Sequence, residues 1–446
     1  MEWIISLLST LGIFAAALLI LVFFHELGHF LAAKFFGMRV ERFSLGFPPR
    51  IWGFKKGDTD YCVGATPLGG YVKISGMIDE SMDTDHLEEE PQPWEFRSKP
   101  VWQRIVVITA GVIFNMILAV LIYAGLALTA GETKVELDSV GGLYVAEGSL
   151  AQQIGFRSGD RILSVNGEQV PYFSDLVAPT QLTRSDVHYT VQRGGEEVTV
   201  GLPDSALNEF SRQGFISPTN AIPSRVRQVQ EGSPADSAGL QAGDRIISLN
   251  GDSVAWWAQL VEGIRSSTSD SLSLQVARGD RTLAYTMRPR ADGTIGIASP
   301  APDEIFEIHR FQYGLFESMR VGGEKTAATF TGIIQGFSKL FSGDISVREN
   351  LGGPVAIANV TREATEVGGM IGFWNITAFL SITLAIMNIL PIPVLDGGHL
   401  MFLFYEGITR REPSAKVRMV LQQIGFVLII ALFIYVTFND ILRQFG

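Results

Sequence analysis

Four long stretches of the chain contain no Asp, Glu, Lys or Arg and consist mainly of apolar residues. They cover residues 3–24, 105–131, 367–395 and 419–439 of the 446 residues. A helix that crosses a bilayer needs about 20 apolar residues at roughly 1.5 Å of rise each, so all four are long enough. The first stretch has no basic residues before it and continues apolar beyond Phe30, unlike a cleaved signal peptide. The pattern therefore predicts a polytopic α-helical membrane protein with four transmembrane helices.

Lys and Arg are concentrated in two of the segments between these stretches. Residues 34–104 contain ten of them and residues 406–418 contain four, whereas residues 1–10 contain none. Short loops rich in Lys and Arg remain in the cytoplasm. We therefore expect both basic segments to be cytoplasmic, and both termini and the long segment 132–366 to lie on the outer side.

Composition excludes some partners and some covalent structure. The formal net charge is −11 and the pI is about 5.2, which argues against binding to nucleic acid. Cys62 is the only cysteine, so no internal disulfide can form.

The outer segment contains an internal repeat. Residues 148–167 read GSLAQQIGFRSGDRILSVNG and residues 232–251 read GSPADSAGLQAGDRIISLNG, with eleven of twenty positions identical. Each copy predicts a short helix, a Gly-Asp turn, a strand and an Asn-Gly hairpin turn. The pattern resembles PDZ domains of bacterial membrane proteases, which implies two extracytoplasmic PDZ-like α+β/β domains in tandem. Such domains bind peptide termini at an exposed strand edge. Two interpretations remain open here: peptide binding, or shielding of the membrane part.

The motif HELGH begins at His25, inside the first apolar stretch. On a helix, positions i and i+4 share one face, so His25 and His29 can offer two imidazoles to one zinc ion. Glu26 lies beside them and can accept a proton from an attacking water. A carboxylate in the hydrocarbon costs about 2.5–3.5 kcal/mol on insertion scales, and such groups usually mark functional sites.

A catalytic zinc site also needs a third protein ligand. The third apolar stretch ends in NILPIPVLDGGHL, residues 388–400, which places Asp396 near the cytoplasmic end of a descending helix. Pro391 and Pro393 interrupt the helical ladder just before it. Broken backbone at membrane depth is tolerated inside protein or beside a water-filled cavity. His399 is a rival ligand, but a carboxylate completes the His₂-carboxylate set of zinc peptidases, which favours Asp396.

HELGH in a first transmembrane helix, paired with a distal N-x-x-P-x-P-x-L-D-G-G, resembles the site-2 protease family of M50-type intramembrane zinc metalloproteases. Four helices with two PDZ copies between the second and third resemble its bacterial branch, the regulators of sigma-E protease. The resemblance covers nearly the whole chain. It implies one zinc ion held by His25, His29 and Asp396, with Glu26 as the catalytic base.

The resemblance also implies residues that contact the substrate. TPLGGYVKISG, residues 66–76, resembles a membrane-associated β-hairpin that offers an edge strand to the substrate, and the alternative is an ordinary cytoplasmic hairpin. TAGVIFN, residues 109–115, matches a second family motif, except that Val112 stands where that motif usually has proline. The predicted substrate-binding residues are Gly70, Tyr71, Val72, Asn115, Asn388, Pro391 and Pro393. Asn115 can equally be a helix-packing residue.

These observations predict the following division of the chain. Residues 1–36 form the first transmembrane helix, 37–100 a cytoplasmic loop with the β-hairpin, 101–131 the second transmembrane helix, 132–220 and 221–300 the two PDZ-like domains, 301–366 amphipathic helices on the outer membrane face, 367–405 the third transmembrane helix, 406–418 a cytoplasmic loop, and 419–446 the fourth transmembrane helix with a short outer tail.

The predicted function is intramembrane cleavage of single-pass membrane proteins in the bacterial inner membrane. The resemblance implies pre-trimmed substrates such as an anti-sigma factor in an envelope stress response, and also remnant signal peptides. One alternative is a membrane-anchored PDZ scaffold with a structural metal, although structural zinc usually has four protein ligands. Another is a metal transporter, which would need more polar residues along the four helices.

Overall fold

The computed structural model describes residues 2–77, 90–182, 186–203, 217–267, 271–290, 293–342 and 352–445. The chain divides into two compact units, and each is described by itself. The first unit comprises Met1–Gly131 and Gln312–Gly446, and the second comprises Glu132–Phe311.

The helices and strands of the described residues are numbered in chain order. The helices are α1 Glu2–Phe35, α2 Val101–Thr129, α3 Leu150–Gln153, α4 Pro179–Leu182, α5 Pro234–Ala238, α6 Trp257–Ser266, α7 Pro302–Ile305, α8 Leu315–Ser342, α9 Pro354–Ile389, α10 Asp396–Thr409 and α11 Ala415–Phe445. The strands are β1 Val40–Lys56, β2 Thr59–Ile74, β3 Glu132–Val135, β4 Arg161–Val165, β5 His188–Arg193, β6 Glu196–Gly201, β7 Gln228–Val229, β8 Arg245–Leu249, β9 Asp252–Ser253, β10 Leu272–Arg278, β11 Arg281–Met287, β12 Ile297–Ala298 and β13 Ile308–Phe311. Short 3₁₀ helices occupy Phe96–Ser98, Leu137–Ser139, Phe173–Val177 and Pro218–Ala221.

Four helices of the described chain are long and apolar enough to cross a membrane. They are Leu8–Phe35 in α1, Val101–Thr129 in α2, Pro354–Ile389 in α9 and Lys416–Asp440 in α11. The predicted four-helix membrane protein is therefore confirmed at this level.

The helices α1, α2 and α9 pack around a shared apolar core. Leu21, Ala119 and Ile382 are buried there, one from each helix. Ser381 is also fully buried, and its hydroxyl donates to the main-chain carbonyl of Asn115 at 2.8 Å. A hydroxyl that is buried away from water needs a hydrogen-bond partner, and here the neighbouring helix supplies it. Hydrogen bonds of this kind help to hold membrane helices together.

The segment after α1 folds into one antiparallel sheet from two long strands. The first half of β1 pairs on one side with residues 59–63 and on the other with residues 70–74, and residues 50–56 extend the sheet beyond 59–63. The order across the sheet is thus 50–56, 59–64, 40–45 and 70–74. Among the described residues, segment 70–74 pairs with Val40–Leu45 alone, so it forms an edge of the described sheet.

The backbone breaks between α9 and α10. The helix α9 bends at Gly369, whose φ is 57°, and ends at Ile389. In the connection, Val394 has φ 123°, which is strained for a β-branched residue. Asp396 then begins α10. The interruption that Pro391 and Pro393 predict is present, and Asp396 starts a new short helix rather than ending the long one.

The segment predicted as amphipathic helices, residues 301–366, contributes to three different parts of the structure, and its residues 343–351 lie outside the described residues. Residues up to Phe311 belong to the second unit, where β13 pairs with β3 at the beginning of that unit. The helix α8 packs along α2. The absence of a side chain at Gly322 allows this contact, because a Cβ there would collide with the Val120 carbonyl and the Ala124 backbone. The helix α9 already begins at Pro354.

The second unit contains two β-rich cores. The first is built around Tyr189 on the sheet β4-β5-β6, and the second around Leu274 on the sheet β11-β10-β8-β9. Each repeat motif supplies one helix and one strand to its core, namely α3 with β4 and α5 with β8.

The two repeat copies also reproduce the same polar contacts. Asp160 accepts hydrogen bonds from the Arg193 guanidinium at 2.7 and 2.8 Å, and Asp244 accepts the equivalent bonds from Arg278 at 2.6 and 2.7 Å. Both aspartates are buried. The predicted Asn-Gly turns are present, with positive φ at Asn166 and Asn250. The repeated sequence therefore encodes a repeated local structure.

Candidate metal centre

The helix α1 carries three buried polar side chains at the position that the HELGH motif predicts. His25, Glu26 and His29 are 9%, 7% and 9% exposed. The Nε2 atoms of His25 and His29 are 3.3 Å apart, because one helical turn separates their side chains on the same face. The two imidazoles can therefore bind one ion together.

Asp396 joins the two histidines from the start of α10. Its Oδ2 lies 3.3 Å from His25 Nε2 and 3.5 Å from His29 Nε2. The ligand atoms of the three residues all lie within 4.8 Å of one another. This Oδ2 is buried and makes no geometrically acceptable hydrogen bond to any described residue. A buried, unsatisfied carboxylate oxygen facing two imidazole nitrogens fits the nitrogen and oxygen ligands that zinc prefers.

A main-chain carbonyl of α2 orients His29. Its Nδ1 lies 2.9 Å from the Val107 carbonyl oxygen. Because a carbonyl only accepts, Nδ1 must carry the proton, and the Nε2 lone pair then points to Asp396. The fold thus fixes the tautomer that a metal ligand needs.

The side-chain amide of Asn115 lies beside the other histidine. Asn115 is fully buried, and its amide is 3.3 Å from Nδ1 of His25. Ligation through Nε2 of His25 requires a proton on Nδ1, and therefore the amide oxygen of Asn115 must face the ring. This orientation also gives that oxygen a donor, which it otherwise lacks among the described residues. Asn115 is not among the residues that line the neighbouring cavity.

A glycine on α2 allows this close approach of the helices. A Cβ on Gly111 would collide with Nε2 of His29 and would lie 2.7 Å from Cε1 of His25. On α1, a Cβ on Gly28 would collide with the Ala110 carbonyl. Sequence reasoning missed both glycines, although Gly111 lies inside the TAGVIFN motif and the pair brings two membrane helices together, as small residues do.

A cavity of about 680 Å³ opens beside these residues. Its polar lining includes His25, Glu26, Asn388, Asp396, His399 and Gln422, and most other lining residues are apolar. Asn388 also approaches Nε2 of His25 at 3.3 Å. The rival ligand His399 lines the cavity but is not a member of the three-residue ligand group.

The edge strand of the hairpin sheet forms part of the cavity wall. Gly70 lines the cavity, and a Cβ there would lie 3.2 Å from Cγ of Glu26. Val72 lines a second, smaller cavity together with the two histidines and Asp396. Tyr71 points elsewhere, where it stacks on Phe47 and accepts a hydrogen bond from Arg42. Alternate residues of this strand thus face the candidate metal centre.

The two predicted prolines occupy the broken segment before Asp396. Pro391 is exposed. Pro393 packs closely against α11, as shown by its carbonyl oxygen, with which a Cβ on Gly425 would collide. Neither proline lines the 680 Å³ cavity, whereas Val394 and Leu395 do. The prolines therefore lie next to the site and shape the backbone that presents Asp396.

The chain is similar to known proteins over almost its whole length. A family model described as peptidase family M50 matches residues 13–432. The regulator of sigma-E protease RseP of Escherichia coli is 32% identical over 467 residues, which cover 98% of this chain and 100% of the relative. The protease RseP of Yersinia pestis is 33% identical, with 98% and 99% covered. A relative from Neisseria meningitidis named as a candidate zinc metalloprotease is 32% identical, with 98% and 100% covered.

Proposed function

Because this chain belongs to peptidase family M50 and is a zinc metalloprotease of the membrane, we propose that it cleaves the transmembrane segments of single-pass membrane proteins. The observation that carries the proposal is the cluster of His25, His29 and Asp396. This cluster, with both histidines buried, lies beside a largely apolar cavity in the unit that contains the four long apolar helices of the described chain. An apolar cavity beside a hydrolytic centre suits a hydrophobic substrate segment.

In this proposal His25, His29 and Asp396 hold the zinc ion and Glu26 is the general base. A zinc ion bound there would polarise the scissile carbonyl and lower the pKa of water. Glu26 accepts a proton from the attacking water as the water oxygen bonds to the carbonyl carbon. Glu26 then gives that proton to the amide nitrogen as the C–N bond breaks.

The substrate helix must unwind before its carbonyls can be attacked, because its own hydrogen bonds occupy them. We assign two groups to hold the unwound segment. One is the edge strand 70–74, which pairs with β1 along one side, and the other is Asn388, which lines the cavity. Strand addition to such an edge supplies main-chain hydrogen bonds to any sequence. Gly70 and Val72, which line the two cavities, are the strand residues nearest the cleaved bond in this proposal.

We further propose the substrate class and the location. Two relatives carry the name of RseP and one of these is named a regulator of sigma-E protease, which suggests anti-sigma-factor-like substrates, trimmed beforehand, in an envelope stress response. Remnant signal peptides are a second substrate of the same chemical kind. The protein would lie in the bacterial inner membrane, with both termini and the two PDZ-like domains in the periplasm and the metal centre near the cytoplasmic side.

The test is cleavage of a single-pass substrate by the purified chain in detergent, with zinc content measured in parallel. We expect Glu26→Gln to bind zinc like the wild type and to cleave at least about 100-fold more slowly, because general-base catalysis contributes that much. His29→Ala should lose both zinc and cleavage. Normal turnover by Glu26→Gln would refute the assigned base. Tight zinc binding without any cleavage by the wild type would favour a scaffold with a structural metal.

A second candidate function concerns the second repeat. A groove of about 500 Å³ lies between α6 and the strands β7 and β12, lined by Leu260 and Ile264 and by the cations Arg265 and Arg290. An apolar groove with basic groups suits the carboxyl terminus of a peptide. Titration with a peptide that ends in an apolar residue, and with its carboxamide, would test this. Equal binding of the two peptides would contradict recognition of the terminus.

A further inference from the structure

A buried ion pair joins α2 to the helix that carries Asp396. The Arg104 guanidinium bonds to the Glu406 carboxylate, and the two side chains are only 6% and 13% exposed. The guanidinium also lies 5.9 Å from the centre of the Phe96 ring. Glu412, which is 47% exposed, lies farther away, with a carboxylate oxygen 3.9 Å from Nη1 of Arg104. Breaking a buried pair is strongly destabilising, so the closer and more buried contact with Glu406 favours one relative position of the two helices.

The helix α10 needs an anchor of its own. It is separated from α9 by the broken segment Leu390–Leu395, so the long helix does not transmit a rigid register to Asp396. Glu406 lies ten residues after Asp396 in α10, or about 15 Å along the axis. Leu400 and Leu403, between the two acidic residues, pack into the apolar core that includes Val107.

The same turn of α2 also holds one of the two histidines. Val107, whose carbonyl accepts from His29, lies three residues after Arg104 and therefore on the same face of α2. One helical turn thus contacts His29 directly and Asp396 through α10.

We propose that Arg104 and Glu406 are positioning residues, which fix the axial position of α10 and so hold Asp396 against His29. The ion pair would then determine how tightly the centre binds zinc, without touching the ion itself. This inference rests on the proposed ligand set of His25, His29 and Asp396.

The experiment measures zinc affinity of the full-length protein in detergent, by competition with a fluorescent zinc chelator. Loss of a group bonded directly to a metal ligand typically lowers metal affinity about 10- to 100-fold. Glu406 acts on Asp396 through α10, so we expect Glu406→Gln to show the lower end of that range, about 10-fold. Arg104→Lys should fall between Glu406→Gln and wild type, because lysine keeps the charge but not the planar fork. The charge-swapped pair Arg104→Glu with Glu406→Arg should recover most of the affinity that Arg104→Glu alone loses.

A matched control comes from an exposed pair on α9. Arg362 and Glu366 are 3.1 Å apart, with Glu366 57% exposed, so Glu366→Gln should leave zinc affinity unchanged. Thermal unfolding of each variant, measured without zinc, separates loss of stability from loss of affinity. Wild-type zinc affinity in both Glu406→Gln and Arg104→Lys would overturn the proposal, whatever their stability.

One further variant separates failure of this inference from failure of the proposed function. If His29→Ala keeps wild-type zinc affinity, the ligand set is wrong and the positioning role falls with it. If His29→Ala loses zinc while Glu406→Gln does not, only the positioning role is overturned.

Discussion

Replacing Gly111 by alanine adds one methyl group at the point where α2 meets both candidate zinc ligands. The added Cβ would collide with Nε2 of His29 and would lie 2.7 Å from Cε1 of His25, a separation that real Cβ atoms essentially never show. The same two helices are also in close contact at Gly28, where α1 packs directly against the Ala110 carbonyl of α2. Moving the helices apart at Gly111 would therefore also disrupt this contact. The imidazoles must therefore rotate or move.

The magnitude follows from overpacking of a buried contact. Extra methyl groups in a packed interior cost about 1–3 kcal/mol, and here the atoms displaced are the metal-binding nitrogen and its neighbour. We expect Gly111→Ala to lower zinc affinity at least about 10-fold, which corresponds to about 1.4 kcal/mol, and to lower cleavage in proportion.

The matched control lies on the same helix. A Cβ on Gly125 would meet nothing within 4 Å, so Gly125→Ala makes the same chemical change without a clash. Its zinc affinity and activity should equal those of the wild type. The assays are zinc competition, cleavage of the single-pass substrate and thermal unfolding. Wild-type zinc affinity in Gly111→Ala would refute the close-packing argument.

Two further predictions concern stability. Asp440 accepts hydrogen bonds from the N–H groups of Gly353 and Ala356 at 3.0 and 2.9 Å, so Asp440→Ala should destabilise the start of α9 by about 1 kcal/mol, measured as a lowered midpoint of unfolding. The pKa of Asp244 is lowered, because burial, which raises it, is outweighed by hydrogen bonds from Arg278 and the Gln241 amide. This stabilisation is present above the ordinary pKa of 3.8 and is lost as the pH falls through the lower folded pKa. In Arg278→Met burial is opposed by the Gln241 amide alone, so the folded pKa of Asp244 should rise above 3.8 and the stability of the second repeat should fall as the pH rises from 3.8 towards the new folded pKa. A variant with the wild-type pH profile would contradict this.

The parts of the fold that were predictable are those encoded by contiguous residues. The four long apolar helices, the interruption before Asp396 and the repeated Asn-Gly turns all follow from length, proline placement and turn chemistry. The HELGH spacing on a helix likewise brings His25 and His29 together. Each of these signals lies within a few residues, where backbone geometry converts spacing into distance.

The parts that were not predictable join residues that are far apart in the chain. Arg104 meets Glu406 across 302 positions, and β13 pairs with β3 to draw residues up to Phe311 into the second unit. No local periodicity specifies such partners. Asn115 illustrates the difference. Its motif predicted either substrate binding or helix packing, and the fold shows that its amide lies beside His25 and does not line the cavity.

The helix α2 supplies neither a candidate ligand nor the candidate base, yet one face of it contacts both candidate histidine ligands and the helix that carries Asp396. Arg104, Val107, Gly111 and Asn115 reach α10, His29, both imidazoles and His25 in turn. At 3.6 residues per turn these four positions lie within an arc of about 80°. A search for chemically reactive residue types passes over this face, because its contributions are a charge pair, a carbonyl, a missing side chain and an amide. A buried metal centre depends on such contacts as much as on its ligands, since they fix tautomer, rotation and depth.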